Sequence, residues 1–253
     1  NFIYNIKNLN IPLVLINGRF TKKTFNSWKK IPASAKNIFN KFDLHFVQNQ
    51  ESKKFLEYFK VKKIFNLGNL KYSSTSHKNS KKQKKFEKIF TNKKVWCASS
   101  THFNEEEICA QIHNQLKMKI NNLITIIIPR HISRVPKILN KLNNMNLKVY
   151  KYSDKFIPKK KIDIFLVDVY GVTLQFYNYA QTVFLGGSLV NHGGQNPLEP
   201  ARLGCKIFHG PYIQNFYDVY KFLNNQRITK NISNKSQLLK DININLKKSF
   251  KKN

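Results

Sequence analysis

Acidic residues are scarce in this chain of 253 residues: 13 Asp+Glu stand against 45 Lys+Arg, a formal net charge of +32. Arginine is scarce too, at Arg19, Arg130, Arg134, Arg202 and Arg227, so the basic side is almost all lysine. Such an excess first suggests a polyanion partner, nucleic acid or anionic lipid. Readers of phosphate and base edges, however, rely on the planar bidentate fork of Arg. Lys, Asn (32 of them) and Ile rise together, as an A/T-rich coding sequence produces, so part of the charge reads as drift on solvated faces. No RNP, KH, helix-turn-helix or zinc-finger pattern occurs, and the aromatics sit at apolar positions rather than among arginines, which argues against nucleic acid as a partner. The three cysteines, Cys97, Cys109 and Cys205, are far apart and form no CxxC pair, which argues against a disulfide scaffold or structural zinc. Long apolar runs are missing: residues 123–129 make a strand-sized stretch, well short of the ~20 residues a membrane helix needs. No GxGxxG follows a strand and no P-loop is present, which argues against dinucleotide binding and NTP hydrolysis.

What is present is an alternation of short β-rich runs with helical segments, which predicts parallel sheets covered by helices. Strands are predicted at 11–17, 44–47 and 64–66, with helices at 22–29, 33–40 and 51–58. From Tyr72 to Lys85 the row is polar and lysine-rich with no further apolar residue, the best domain boundary. Beyond it, strands are predicted at 94–98, 123–128, 147–152, 162–168, 182–185 and 206–209, and helices at 105–116, 135–145, 173–180, 198–203, 216–223 and 235–250. The expected organisation is residues 1–72 as an incomplete first domain, 73–92 as linker, 93–230 as a complete open α/β domain, and 231–253 as a basic amphipathic helix. The row starts at Asn1 rather than Met and runs directly into an apolar-periodic segment, so the chain reads as a fragment of a longer protein.

The most informative stretch is residues 184–214, FLGGSLVNHGGQNPLEPARLGCKIFHGPYIQ. A buried strand runs into Gly186, Gly187 and Ser188, then a second pair, Gly193 and Gly194, then Asn196, Pro197, Leu198 and Glu199 opening a helix. Glycines let the backbone approach a ligand, and Pro197 suits a first helical turn. The expectation is a helix N-terminus with free N–H groups facing a glycine-lined phosphate site, at the carboxyl ends of the strands. Glu199 either caps this helix or accepts hydrogen bonds from vicinal ribose hydroxyls; the scarcity of acids favours the second. His192 is a phosphate ligand or a plain loop residue. Residues 126–131, IIIPRH, end a buried strand in Pro129 and Arg130, the Arg aimed at the same crevice or out on the surface. Residues 168–176, DVYGVTLQF, place Gly171, Val172 and Thr173 where backbone groups can meet a base edge. Ser99 to Glu107 make a helix-capping pattern that accounts for everything but His102. Three strand-end loops thus converge on a crevice for base, ribose and phosphate, a nucleotide-sugar site.

The run GGSLVNHGGQNPLEPARLG, with HGPYIQNF after it, resembles the 3-deoxy-D-manno-octulosonic acid (Kdo) transferases of lipid A assembly. Weaker matches follow in order: LINGRFTKKTFNSW, FVQNQESKKFLEYFKV, GNLKY, ASSTH and IIPRH. The resemblance implies a GT-B fold of two Rossmann-like domains, CMP-Kdo as donor, no cofactor or metal, and a lipid A precursor as acceptor. It implies an enzyme at the cytoplasmic face of the bacterial inner membrane, held to anionic lipid peripherally or by an N-terminal anchor. It further implies that Pro129 and Arg130 meet CMP, that Gly171, Val172 and Thr173 line the cytidine pocket, and that Asn196 to Glu199 hold ribose and phosphate. Ser188, Gly193 and Gly194 join the donor site, with Lys71 and His102 in support. The family's general base is a Glu in a Gly-rich loop expected ahead of Asn1; no Asp or Glu precedes Asp43, so no catalytic base is assigned and this chain alone is expected to be inactive. Where the family carries Asp-Thr-x-Gly-Glu-Leu, this chain has Val172 in place of the Glu, which leaves a main-chain contact there. The alternatives are a GT-B enzyme using a UDP-sugar and, further off, a basic nucleic-acid-binding protein.

Overall fold

A computed structural model describes residues 2–70, 84–156 and 161–248. The chain divides into two compact units, residues 1–76 and 77–253. The first contains α1 (Phe2–Asn8), β1 (Val14–Gly18), α2 (Lys22–Lys29), α3 (Pro32–Phe39), β2 (Leu44–Val47), α4 (Gln50–Tyr58) and β3 (Ile64–Asn66). Its strands form a parallel sheet in the order β1-β2-β3. Local chemistry sets the helix starts: Thr21 caps α2, Pro32 opens α3, and the Asn49 side chain accepts the Ser52 N–H to cap α4. Ala35, Phe39, Val47, Leu56, Phe59 and Val61 form the core, joined by partly buried Leu15, Phe25 and Trp28. Val14, Ile16 and Phe65 remain exposed.

The second unit contains α5 (Lys84–Phe90), β4 (Lys94–Thr101), α6 (Glu105–Lys117), β5 (Leu123–Pro129), α7 (Val135–Asn144), β6 (Val149–Lys151), β7 (Ile164–Leu166), α8 (Thr173–Tyr177), β8 (Thr182–Leu185), α9 (Leu198–Arg202), β9 (Lys206–His209), α10 (Tyr217–Asn225), β10 (Thr229–Asn231) and α11 (Lys235–Lys247). Its seven strands are all parallel, in the order β10-β9-β8-β4-β5-β7-β6. The central strands read as continuous apolar runs because both sheet faces are covered. On one face Phe86, Ile89, Phe90, Phe176, Tyr177 and Tyr220 pack with strand residues such as Phe165 and Val183. On the other, α6, α7 and α11 bring Ile112, Leu116, Ile138, Leu142, Leu238, Ile242 and Leu246 against Trp96, Ile127 and Phe184. Among the described residues, no helix is long and apolar enough to cross a membrane.

Three readings of the sequence change. Residues 84–90, expected inside a linker, form α5, because Phe86 and Phe90 dock edge-on and tilted at 5.2 Å onto Phe165. Residues 229–231 add an edge strand that their short, polar composition did not announce. The basic last helix is no appendage: its apolar stripe fills one face of the sheet and the Gln181 side chain donates to the Asn245 carbonyl at 2.5 Å.

At the amino end of the strands, His113 and Thr125 are fully buried and bonded Nδ1 to Oγ1 at 2.8 Å. His113 Nε2 lies 3.5 Å from Asp163, which also accepts the Lys148 N–H and faces Lys117. Burial raises the Asp163 carboxyl, but the His113 bond, the Lys148 N–H and Lys117 outweigh it and hold it at about 2. Burial keeps His113 below its ordinary value despite Asp163, so the ring is neutral.

Two predictions follow from this packing. Phe86→Ala removes a ring shared by α5 and the sheet and costs about 3–5 kcal/mol, read by urea denaturation monitored at the buried Trp96. Because the Asp163 value is depressed on folding, its contribution is complete above the unfolded value of 3.8 and is lost as pH falls toward about 2. That share, on the order of 2 kcal/mol, disappears from the acid limb of the stability curve in Asp163→Asn.

Candidate functional site

The chain lays down β4, β5, β6 and β7 on one side and then crosses to β8 on the other, so β4 and β8 are neighbours with oppositely directed exits. Crevices at such switch points, at the carboxyl ends of the strands, take ligands. The loops converging here are residues 101–105 after β4, 129–132 after β5, 168–173 after β7 and 186–198 after β8.

One side chain joins the first of these to the last. Glu105, the first residue of α6, is wholly buried, and its carboxylate accepts backbone N–H groups from His102 at 2.8 Å, Gly187 at 2.7 Å, Leu189 at 3.1 Å and Ser188 at 3.3 Å. Burial raises this carboxyl above its ordinary value, with the four N–H donors pulling the other way. Gly186 has to be glycine because a Cβ there would lie 2.6 Å from Glu105 Oε2 and from the Ser100 carbonyl oxygen. The glycine loop therefore closes on the protein's own carboxylate. The sequence reading put Glu105 down to capping; the α6 N-cap, Asn104, makes no side-chain cap bond, and Glu105 instead supplies the anion that organises His102 and residues 187–189.

This changes the expected phosphate nest. The N–H groups of Gly187, Ser188 and Leu189 are occupied, and the Leu198 N–H is taken by Asn196 Oδ1 at 3.1 Å. The Ser188 hydroxyl does not face a ligand: it is buried, donates to the Leu185 carbonyl at 2.5 Å and accepts the Gly210 N–H at 2.8 Å, tying the β8 exit to the β9 exit. Gly193 (φ +84°) packs against Asn215, whose Nδ2 would sit 2.2 Å from any Cβ, and Gly194 donates to the Gly187 carbonyl at 2.9 Å. These glycines serve loop-on-loop packing more than ligand approach. The helix opened by Pro197 is five residues long, with Pro197 buried and Glu199 exposed in its first turn. Partial desolvation raises the Glu199 carboxyl, offset by Arg202 one turn on.

Pro129 is buried as the last residue of β5, and Arg130, whose N–H donates to the Thr101 carbonyl at 3.0 Å, is exposed at the crevice. Gly171 is exposed, while Val172 and Thr173 are half-buried at the start of α8; Val172 packs on the core, consistent with a main-chain role. The Tyr170 hydroxyl accepts the Ile132 N–H at 3.3 Å, linking this loop to the β5 exit. His102 is buried beside Gly187 and stacks on His192, ring centroids 4.1 Å apart, with His131 edge-on at 5.9 Å. Lys71 lies outside the described residues. Among the described residues, no group of three or more His, Cys, Asp or Glu could hold a metal ion.

Sequence reasoning missed Glu105, the part of His131, and the bidentate pair of Arg134 with buried Glu106 at 2.8 and 2.9 Å. A usable signal was present: 3 of the 13 acids stand in a row at 105–107, directly after a strand end.

By fold, the parallel α/β units belong with the GT-B glycosyltransferases: HepE from Anabaena in complex with UDP superposes with a TM-score of 0.51 at 13% identity, over 96% of this chain and 65% of that one. Within that class the likeness is to one family. Residues 1–74 match the family model described as 3-deoxy-D-manno-octulosonic-acid transferase (kdotransferase). A bifunctional glycosyltransferase/methyltransferase from Fusobacterium nucleatum is 33% identical over 96% of this chain and 38% of its own length. A 3-deoxy-D-manno-octulosonic acid transferase from Haemophilus influenzae is 29% identical over 88% of this chain and 53% of its own. The crystal structure of the C-terminal CMP-Kdo binding domain of WaaA from Acinetobacter baumannii superposes with a TM-score of 0.59 at 25% identity, over 64% of this chain and 85% of that domain. The resemblance to Kdo transferases read from the motifs is thus borne out, and the chain spans about half the length of the curated relatives it matches.

Glu105→Ala strands four backbone N–H groups, Gly187, Ser188 and Leu189 among them, and costs about 3 kcal/mol or more. Chemical denaturation of the purified chain checks this, and amide exchange across residues 186–194 is expected to rise selectively.

Proposed function

We propose that this chain forms the donor-binding part of a Kdo transferase, which moves Kdo from CMP-Kdo onto a lipid A precursor. What supports the reading is that the loops carrying Arg130, Gly171 to Thr173 and Glu199 follow β5, β7 and β8 around the β4/β8 switch point, in a unit whose fold and sequence resemble a CMP-Kdo binding domain. Glu199, exposed on a short helix with Arg202 one turn on, accepts the vicinal ribose hydroxyls. Gly171, Val172 and Thr173 offer main-chain groups to the cytosine edge. Arg130 meets the phosphate.

The reaction is an inverting displacement: an acceptor hydroxyl, deprotonated by a general base, attacks the anomeric carbon as CMP departs with the bonding electron pair. Negative charge grows on the departing phosphate, and a fixed cation at the end of a buried strand stabilises it as it forms, without reorganisation. On this reading the phosphate is neutralised by side chains, and no metal or other cofactor is needed. None of the residues assigned here is the general base, so the tests concern donor binding. The lysine excess supports a place against the anionic cytoplasmic face of the inner membrane, where each Lys near the surface contributes about 1 kcal/mol.

Titration calorimetry with CMP, UMP and UDP tests the assignment. CMP is expected to bind more tightly than either uridine nucleotide. Glu199→Ala and Arg130→Ala are each expected to weaken CMP tenfold or more, about 1.4 kcal/mol or above, without loss of the folded state. CMP affinity unchanged in both variants overturns the site, and a preference for UDP overturns the donor.

A further inference from the structure

The strand-end loops bring three histidines together where the function just proposed uses none. His102 follows β4, His131 follows β5 and His192 lies in the glycine loop after β8. His102 is 8% exposed, and its Nε2 is buried with no hydrogen-bond partner among the described residues. Its ring lies almost parallel to that of His192, at 18° and 4.1 Å, and 5.9 Å from His131 at 85°. His131, His192 and Arg130 are exposed. The charged groups around His102 are His192, His131, Arg134 and Arg130; Arg134 is already paired with Glu106, and the Glu105 carboxylate is spent on backbone N–H groups, including that of His102. Among the described residues, no carboxylate pairs with the buried Nε2 of the stacked His102 ring.

We propose that His102, His131 and His192 form a proton-linked anion clamp, in which an anionic phosphate seated against His131, His192 and Arg130 draws a proton from solvent onto the stacked pair. Without a bound anion, burial foremost and then the neighbouring His and Arg charges hold His102 neutral, near a value of about 4. A dianion at the mouth reverses the balance: it neutralises Arg130 and gives the imidazolium an opposite charge. His102 acts beneath, as a positioning residue: its ring is the floor on which His192 stacks, and Gly187 covers its inner edge, where a Cβ would lie 3.0 Å from Nε2. No bond to carbon or phosphorus is made or broken; the proton comes from solvent and returns to it when the anion leaves. The clamp rests on the proposed donor reading only for the identity of the phosphate carrier.

The test is proton uptake on binding, measured with the 253-residue chain by calorimetry at pH 7.5 in buffers of differing ionisation enthalpy. This is above the second phosphate ionisation near ~6, so the ligand contributes little of the proton. The probes are CMP, inorganic phosphate and cytidine. The expected result is uptake of about half a proton or more with CMP and with phosphate, none with cytidine, and affinity rising about three- to tenfold from pH 8 to pH 6.5. His192→Gln, at an exposed position, is expected to abolish most of the uptake while the chain stays folded. His102→Gln is expected to do the same, and the wild-type measurement decides the matter even if that buried variant does not fold. Uptake with phosphate but equal binding of CMP and UMP keeps the clamp and overturns the CMP donor. CMP binding without proton uptake, or with uptake unchanged in His192→Gln, overturns the clamp, as does failure of both anions to bind.

Discussion

The second unit depends on a single buried carboxylate. Glu105 sits where the chain leaves its first strand, yet three of its four hydrogen bonds reach residues more than 80 positions later in the sequence. An isolated carboxylate in such a place is costly, and only full satisfaction of its lone pairs makes it tolerable. The four N–H donors provide that, and in return the glycine loop acquires one conformation. Gly186 leaves room for the carboxylate and the Ser188 hydroxyl fastens the far side to the β9 exit. The loop is consequently organised before any ligand arrives, which removes an ordering cost from binding.

Much of this molecule was legible in its sequence, for identifiable reasons. The runs at 123–129 and 182–185 are apolar but for Thr125 and Thr182 because parallel strands are buried on both faces, so their boundaries stand out. Pro197 marks a helix start that the structure keeps. Helix α5 was hidden because a single turn of lysines masks Phe86, Ile89 and Phe90, whose partners come from strands far away in the chain. Strand β10 is two-thirds exposed and polar, and only its pairing with β9 defines it. For the site, the motifs singled out strand-end loops at the switch point, while the contents of the glycine nest depended on a contact between loops that no local pattern encodes.

The charge reads differently once the partners of the acids are known. Glu106 holds Arg134, Glu107 holds Lys141, Asp163 faces Lys117 and Asp241 holds Lys230. Most acids in the second unit are thus committed to partners of their own, with Glu199 standing apart on the surface. A surface this basic repels its own copies and attracts polyanions, in a way that salt screens beyond about 10 Å.

Helix α11 has a consequence for how the unit comes into being. Leu238, Ile242 and Leu246 close the sheet face over Trp96 and Phe184, and the carbonyl of Lys248 meets the side chain of Lys94, 154 residues earlier. The first strand of the unit is therefore sealed by α11. On a translating ribosome the part of this face that α11 covers, beside α6 and α7, stays open until residue 246 has emerged, and at ~5–20 residues per second the interval from Trp96 is roughly 8–30 seconds. An apolar surface left uncovered for that long is prone to association with other apolar surfaces.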